Sequence, residues 1–167
     1  VAFEGRIAEL RERTAQTLLT PHPGEAGLLL GLSAKAINAA RPACARALAQ
    51  RTGAIVVLKG AGTVIADPSG RIAVNPTGGP VLATGGTGDV LAGLVGSFVA
   101  QRVAPFEAAV LAAFVHGAAG DLVAARRGNR GALASEIADA IPEALRALSG
   151  AHPAIGAGDA IRFPEPC

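Results

Sequence analysis

The stretch Ala83–Gly93, ATGGTGDVLAG, constrains the chain more than any other. Four glycines and two threonines surround one carboxylate, Asp89, and an apolar helical pattern begins at once. A glycine bend that runs directly into a helix is a connection of α/β folds. The first N–H groups of such a helix have no partners within it and carry partial positive charge. Glycines let an anion approach those groups. The loop therefore reads as a phosphate cradle with a carboxylate one turn away. It reads equally as a plain turn with Asp89 in a favoured first-turn position. It is neither a P-loop, because no GK[ST] follows, nor the dinucleotide fingerprint, because Gly86, Gly88 and Leu91 break that spacing.

The remaining pattern is α/β. Residues 3–13 predict an amphipathic helix with Phe3, Ile7 and Leu10 on one face. TLLTPHPGE predicts a short strand, a proline-rich bend, and a helix from Gly24 to Leu30 with Glu25 in its first turn. Residues 34–52 predict helix, restarted at Pro42 and stopped by Gly53. AIVVLKG has the length and β-branching of a buried strand, and GTVIADPSGRIAVN that of a hairpin turning at DPSG. PVLA predicts a strand or extended segment before the glycine loop. A long alanine-rich helix runs from Pro105 to Gly128. Another, capped by Ser135 and bent at Pro142, precedes a Gly/Pro-rich tail. The domain is expected over residues 1–150 and the tail over 151–167.

Composition narrows the function. The 167 residues carry a net charge of +2, and aromatics make up 3%. A weak, scattered positive charge without stacking platforms argues against nucleic acid. Cys44 and Cys167 form no disulfide or zinc pattern, and no metal site is expected from protein ligands. Apolar runs are short and interrupted, so neither a membrane span nor membrane binding is expected. A cytoplasmic location is the expectation.

Three further stretches bear on chemistry. VVLKGAGTVIA ends a strand with Lys59 and a small-residue turn to Thr63, a setting for nucleotide phosphates or for a solvated lysine. LLTPHPGE places His22 between two prolines, as a turn former or a ligand. NPTGG adds Asn75 and Thr77 just before the glycine loop, as ligands or turn formers.

Taken together, TPHPGE, VVLKGAGTVIA, NPTGG with LATGGTGDVLAG, FVHGAAGD and LAS-E resemble the ADP/ATP-dependent NAD(P)H-hydrate dehydratases of the ribokinase-like superfamily. The resemblance runs from about Thr14 to Leu148. It implies a three-layer α/β/α fold around a central, mostly parallel sheet. It implies that hydrated NADH or NADPH is phosphorylated on its ring hydroxyl by ADP or ATP, with Mg2+, and that phosphate then leaves. ADP is expected over ATP. In this resemblance Asp89 is the catalytic base, and the amides of Gly86, Thr87 and Gly88 form the anion hole. Lys59, Gly60, Ala61, Gly62, Thr63 and Gly88 bind the nucleotide, and His22 and Asp89 meet the substrate.

Glu136 stands where relatives have aspartate and is expected to matter for helix capping. His116 is expected to be a packed helix residue, and His152 has no role. Family members carry a further N-terminal half, so this chain is expected to hold the C-terminal part of the domain, with an open sheet edge. A homo-oligomer is expected. Two other readings remain: a ribokinase-like small-molecule kinase, such as a hydroxymethylpyrimidine phosphate kinase, and a nucleotide-binding piece without activity of its own.

Overall fold

The computed structural model describes residues 3–150. The proposed tail, with His152 and Cys167, lies outside them. Four strands form one sheet in chain order: β1 (Leu18–Leu19), β2 (Ile55–Leu58), β3 (Val64–Ala66) and β4 (Ile72–Val74). β1 and β2 are parallel, while β2–β3 and β3–β4 are antiparallel. Among the described residues the sheet is therefore mixed rather than mostly parallel, with only the first pair parallel. The hairpin read from GTVIADPSGRIAVN supplies the rest.

Alternation along the strands splits the core into two. Ile55, Val57 and Ile65 face one cluster; Val56, Leu58, Val64 and Ala66 face the other. The register makes this consistent, since Val57 opposes Ile65 and Leu58 opposes Val64. β2 is buried throughout, as a continuous apolar strand between two helical layers must be. One layer holds α1 (Pro23–Leu30), α2 (Ala34–Ala39) and α3 (Arg41–Thr52). The other holds α4 (Thr87–Ala100), α5 (Pro105–Arg127) and α6 (Ala134–Gly150).

α5 is long and apolar enough to cross a membrane by length and composition, contrary to the reading of short interrupted runs. Its alanines and glycines instead fill the core: Ala108, Ala109, Ala112 and Ala119 are fully buried against α4, α6 and the sheet. Small side chains let neighbouring helices approach closely, so an alanine-rich helix can be a core element.

Three local expectations are corrected. Residues 3–13 form no amphipathic helix, only a single 3₁₀ turn at Ile7–Leu10. Leu10 is buried, and Ile7 and, ahead of the turn, Phe3 pack on the α1–α3 cluster. Isolated helices this short are not stable on propensity alone. The segment before the glycine loop is a 3₁₀ turn, Pro80–Leu82, not a strand. Pro80 lacks a ladder donor and its fixed φ suits the start of a helical turn. Finally, α6 begins at Ala134, ahead of Ser135, and its start is capped by Glu136. The Glu136 carboxylate accepts the Leu133 N–H at 2.8 Å and pairs with Arg127. Glu136 thus does the capping expected of it, while Pro142 lies inside the helix.

Candidate active site

A cleft of about 820 Å³ opens where the 59–63 turn, the 75–80 loop, the glycine loop and α5 meet. Residues from His22, Lys59–Thr63, Asn75, Thr77–Pro80, Leu82–Gly85, Thr87, Gly88 and His116 line it. Lys59 to Thr63, Thr87 and Gly88, expected from sequence at the nucleotide and anion hole, thus line one cavity, while Gly86 lies between the lining residues Gly85 and Thr87 without being one of them.

The glycine loop enters α4 through Gly86, which caps the helix at φ 89°. A side chain would strain that left-handed backbone. Thr87 is buried, and its hydroxyl lies 2.7 Å from the Leu82 carbonyl and 2.8 Å from that of Thr84, tying the loop to itself. The Thr87 N–H makes a long contact of 3.4 Å to the Thr84 carbonyl. The N–H groups of Gly86 and Gly88 donate to no acceptor among the described residues. They remain available to an anion. Asp89 is exposed one residue further on, with its N–H on the Gly86 carbonyl at 3.0 Å. Its carboxylate accepts no hydrogen bond among the described residues. Asp89 stands beside the cleft lining rather than in it.

Across the cleft, Lys59 reaches over the glycine loop. A Cβ added at Gly88 would lie 3.1 Å from Lys59 Nζ. The ammonium also stands 3.8 Å from Glu25 Oε2. A cation over the N-terminus of α4 adds to the positive field of the helix end.

His22 is the N-cap of α1. Its Nδ1 accepts the N–H groups of Gly24 and Glu25 at 3.0 and 3.2 Å, and the Glu25 carboxylate returns to the His22 N–H at 2.7 Å. Nδ1 is therefore an acceptor, which leaves the ring proton on Nε2. His22 thus caps the helix after the bend, and it also lines the cleft.

Asn75 and Thr77, left open between ligand and turn former, clamp the loop to α5. Asn75 Nδ2 donates to the carbonyls of Thr77 and Ala113 at 3.0 and 3.1 Å. The Thr77 hydroxyl reaches the Phe114 carbonyl at 2.9 Å. Asp121 accepts the Gly78 N–H at 3.0 Å. Contact this close requires Gly117, where an added Cβ would meet Thr77 Oγ1 at 2.1 Å and Thr77 backbone at 2.7 Å.

His116 is packed, as expected, at 6% exposure, and it also reaches the cleft lining. Its Nε2 has no partner among the described residues. Burial pushes its imidazole below the ordinary 6.5, and the Thr87 backbone offsets part of that. Arg41, which no motif flagged, sits behind the 59–63 turn, with its guanidinium on the carbonyls of Leu58 and Lys59. Nothing local in the sequence marks it, since its partners are 17 and 18 residues away.

Among the described residues no group of three or more His, Cys, Asp or Glu side chains could hold a metal ion. Magnesium commonly binds through one or two carboxylates and substrate phosphates while keeping several waters. The exposed carboxylate of Asp89, beside the free amides, fits that manner of binding.

Residues 4–143 match the family model for NAD(P)H-hydrate dehydratase. The bifunctional NAD(P)H-hydrate repair enzyme of Escherichia coli is 46% identical over 120 residues, covering 72% of this chain and 23% of that protein. The ADP-dependent (S)-NAD(P)H-hydrate dehydratase of Neisseria meningitidis is 48% identical over 124 residues, covering 74% and 42%. The crystal structure of the ADP/ATP-dependent NAD(P)H-hydrate dehydratase of Bacillus subtilis, co-crystallized with ATP/Mg2+ and soaked with CoA, superposes with a TM-score of 0.76 at 34% identity. That match covers 83% of this chain and 53% of the other. This chain thus spans about a quarter to a half of the relatives it matches, and its fold is ribokinase-like.

Proposed function

The chain belongs to the NAD(P)H-hydrate dehydratase family, and from that premise we propose that it carries the nucleotide subsite and the catalytic carboxylate for dehydrating hydrated NADH or NADPH. The observation that supports this most is the convergence on one cleft of unpaired amides at the N-terminus of α4, the Lys59 ammonium and the 59–63 turn.

In this reading the AMP part of the nucleotide lies along Lys59–Thr63 and touches Gly88. The transferring phosphoryl group sits against the N–H groups of Gly86, Thr87 and Gly88. Phosphoryl transfer is catalysed chiefly by positioning and charge neutralisation, and this arrangement offers both. Asp89, beside the loop and free of protein partners, takes the proton of the ring hydroxyl as its oxygen attacks the terminal phosphorus of ADP; the bond to AMP breaks. The lone pair of the ring nitrogen then expels phosphate, the neighbouring carbon loses a proton, and the ring double bond returns. His22 lines the substrate side of the cleft, its ring fixed by the capping bonds and its Nε2 3.7 Å from Glu25 Oε2. Mg2+ would be held mainly through the nucleotide phosphates, beside the Asp89 carboxylate, and would supply charge neutralisation there. ADP is the favoured donor, in keeping with the Neisseria relative named ADP-dependent.

The test incubates hydrated NADH with Mg2+ and either ADP or ATP, and follows recovery of the reduced-nicotinamide absorbance. The chain is assayed alone and within a protein of full family length. Recovery with ADP, lost in the Asp89→Asn variant, supports the proposal. A stable phosphorylated product with no restored absorbance in either protein contradicts it and favours a small-molecule kinase.

A further inference from the structure

We infer that Arg41 is a positioning residue of the nucleotide subsite, fixing the peptide planes of the 59–63 turn so that their N–H groups face the cleft. The inference rests on the reading of that turn as a nucleotide site, and adds a residue to it that lies outside every motif.

Arg41 is the first residue of α3, and its charge does nothing for that helix. A cation at a helix N-terminus opposes the macrodipole, and no acidic side chain stands in the first turn of α3. Its guanidinium is committed elsewhere. Nη2 donates to the carbonyls of Leu58 and Lys59 at 2.8 and 3.2 Å and approaches that of Gly62 at 3.5 Å. Nη1 donates to Asn38 Oδ1 at 3.1 Å. The group fills the hollow of the turn so closely that a Cβ added at Gly60 would lie 2.8 Å from Nη1. Burial lowers the affinity of Arg41 for its proton, so charge is held here at a cost; among the described residues its Nη atoms meet carbonyl oxygens and its buried Nε has no partner.

The consequence follows from the planar trans peptide, in which C=O and the next N–H point in opposite directions. Turning the carbonyls of Lys59 and Gly62 back onto Arg41 turns the N–H groups of Gly60 and Thr63 the other way. Neither donates to an acceptor among the described residues, and both residues line the cleft. The Thr63 hydroxyl, donating to the Gly60 carbonyl at 3.1 Å, closes the same turn. By contrast, the Lys59 N–H is spent on the Pro21 carbonyl at 2.8 Å. Both carbonyls thus face one nitrogen, Nη2, whose place is fixed by the bond from Nη1 to Asn38 in the same plane. A lysine has a single nitrogen and cannot hold Asn38 and the turn from one rigid plane.

AMP probes this turn without engaging the transferable phosphate. Its binding to the wild-type chain, Arg41→Lys and Arg41→Ala is measured by calorimetry, with unfolding midpoints recorded in the absence of nucleotide. The expected result is AMP binding weakened about tenfold or more in Arg41→Ala, the scale of one hydrogen bond to a charged group. Arg41→Lys falls between the two. Should Arg41→Ala not fold, Arg41→Lys decides: weaker binding at an unchanged midpoint supports the inference. Wild-type affinity in a folded variant overturns the role of Arg41 and leaves the nucleotide reading standing. A wild-type chain that binds no AMP removes the nucleotide reading, and the inference with it.

Discussion

The turn at Lys59–Thr63 and the loop at Thr84–Gly88 line the same cleft, yet they hold their shapes by different means. The turn is braced from behind by Arg41, 18 residues earlier, and is extended by a hairpin whose far end is also pinned. There Asp67, 5% exposed, accepts Ser69 Oγ, the Arg71 N–H and Arg71 Nε at 2.6, 3.0 and 2.6 Å. Arg71 continues to Glu107 at the start of α5 and stacks over Phe106. Among the described residues the glycine loop has no guanidinium brace of this kind. It closes on itself through the Thr87 hydroxyl, meets His116 of α5 at the Thr87 backbone, and is joined through Leu82 to Gly79 of the 75–80 loop, which is clamped to α5. The braced wall suits the part of a nucleotide that stays put. The glycine wall, with its free amides and carboxylate, suits the part that reacts.

The contrast breaks most sharply at Asp89. Asp89→Asn keeps the shape of the loop and removes the base. Turnover in the dehydration assay is expected to fall by about 10²–10⁴-fold, the contribution of general base catalysis, while nucleotide affinity is retained. Loss of affinity with turnover per bound nucleotide unchanged would move Asp89 from chemistry to binding.

A smaller effect is expected at Gly117. Gly117→Ala drives a methyl group into Thr77, and backbone as well as side chain must shift. Overpacking of this kind destabilises by about 1–3 kcal/mol, read from denaturant midpoints. The glycine wall, which leans on this contact, is expected to lose nucleotide affinity more than the Arg41-braced turn loses AMP affinity. Equal losses would show the two walls to be one mechanical unit.

The smallest effect is in acid. Burial alone would raise the Asp67 carboxyl, but hydrogen bonds from Ser69 and Arg71 outweigh it and bring it to about 2, from 3.8. The stability it contributes is complete above 3.8 and is lost as pH falls toward 2. His116 acts earlier. Its folded-state value lies below 6.5, so the unfolded chain gains the proton first and stability declines as pH drops below 6.5. A pH series of unfolding midpoints is expected to show both declines. Asp67→Asn removes only the lower one and His116→Gln only the upper. A single unchanged profile in both variants would contradict this assignment.

What the sequence made legible follows the same division. The strand at Ile55–Leu58, the hairpin, the start of α4 and the Glu25 first turn are local: adjacent residues decide them. The clamp on the 75–80 loop was not legible, because Asn75 and Thr77 find their partners 38 and 37 residues away. Asn75 and Thr77 read only as polar residues of a turn until α5 is laid beside them. Arg41 was silent for the same reason. The 3–13 segment misled through its periodicity: Phe3 and Ile7 do pack on one cluster and Leu10 is buried, but the backbone there makes a single turn rather than a helix. At α6 the acid at Glu136 outcompeted the expected serine cap, because its longer side chain reaches back to the Leu133 N–H.

The central claim is that one nucleotide spans both walls. Amide chemical shifts of the chain titrated with ADP and Mg2+ test it directly. The account predicts the largest shifts at Gly60, Thr63, Gly86 and Gly88, with Asp67 and its hairpin turn unmoved. Shifts confined to one wall, or centred away from this cleft, would contradict it.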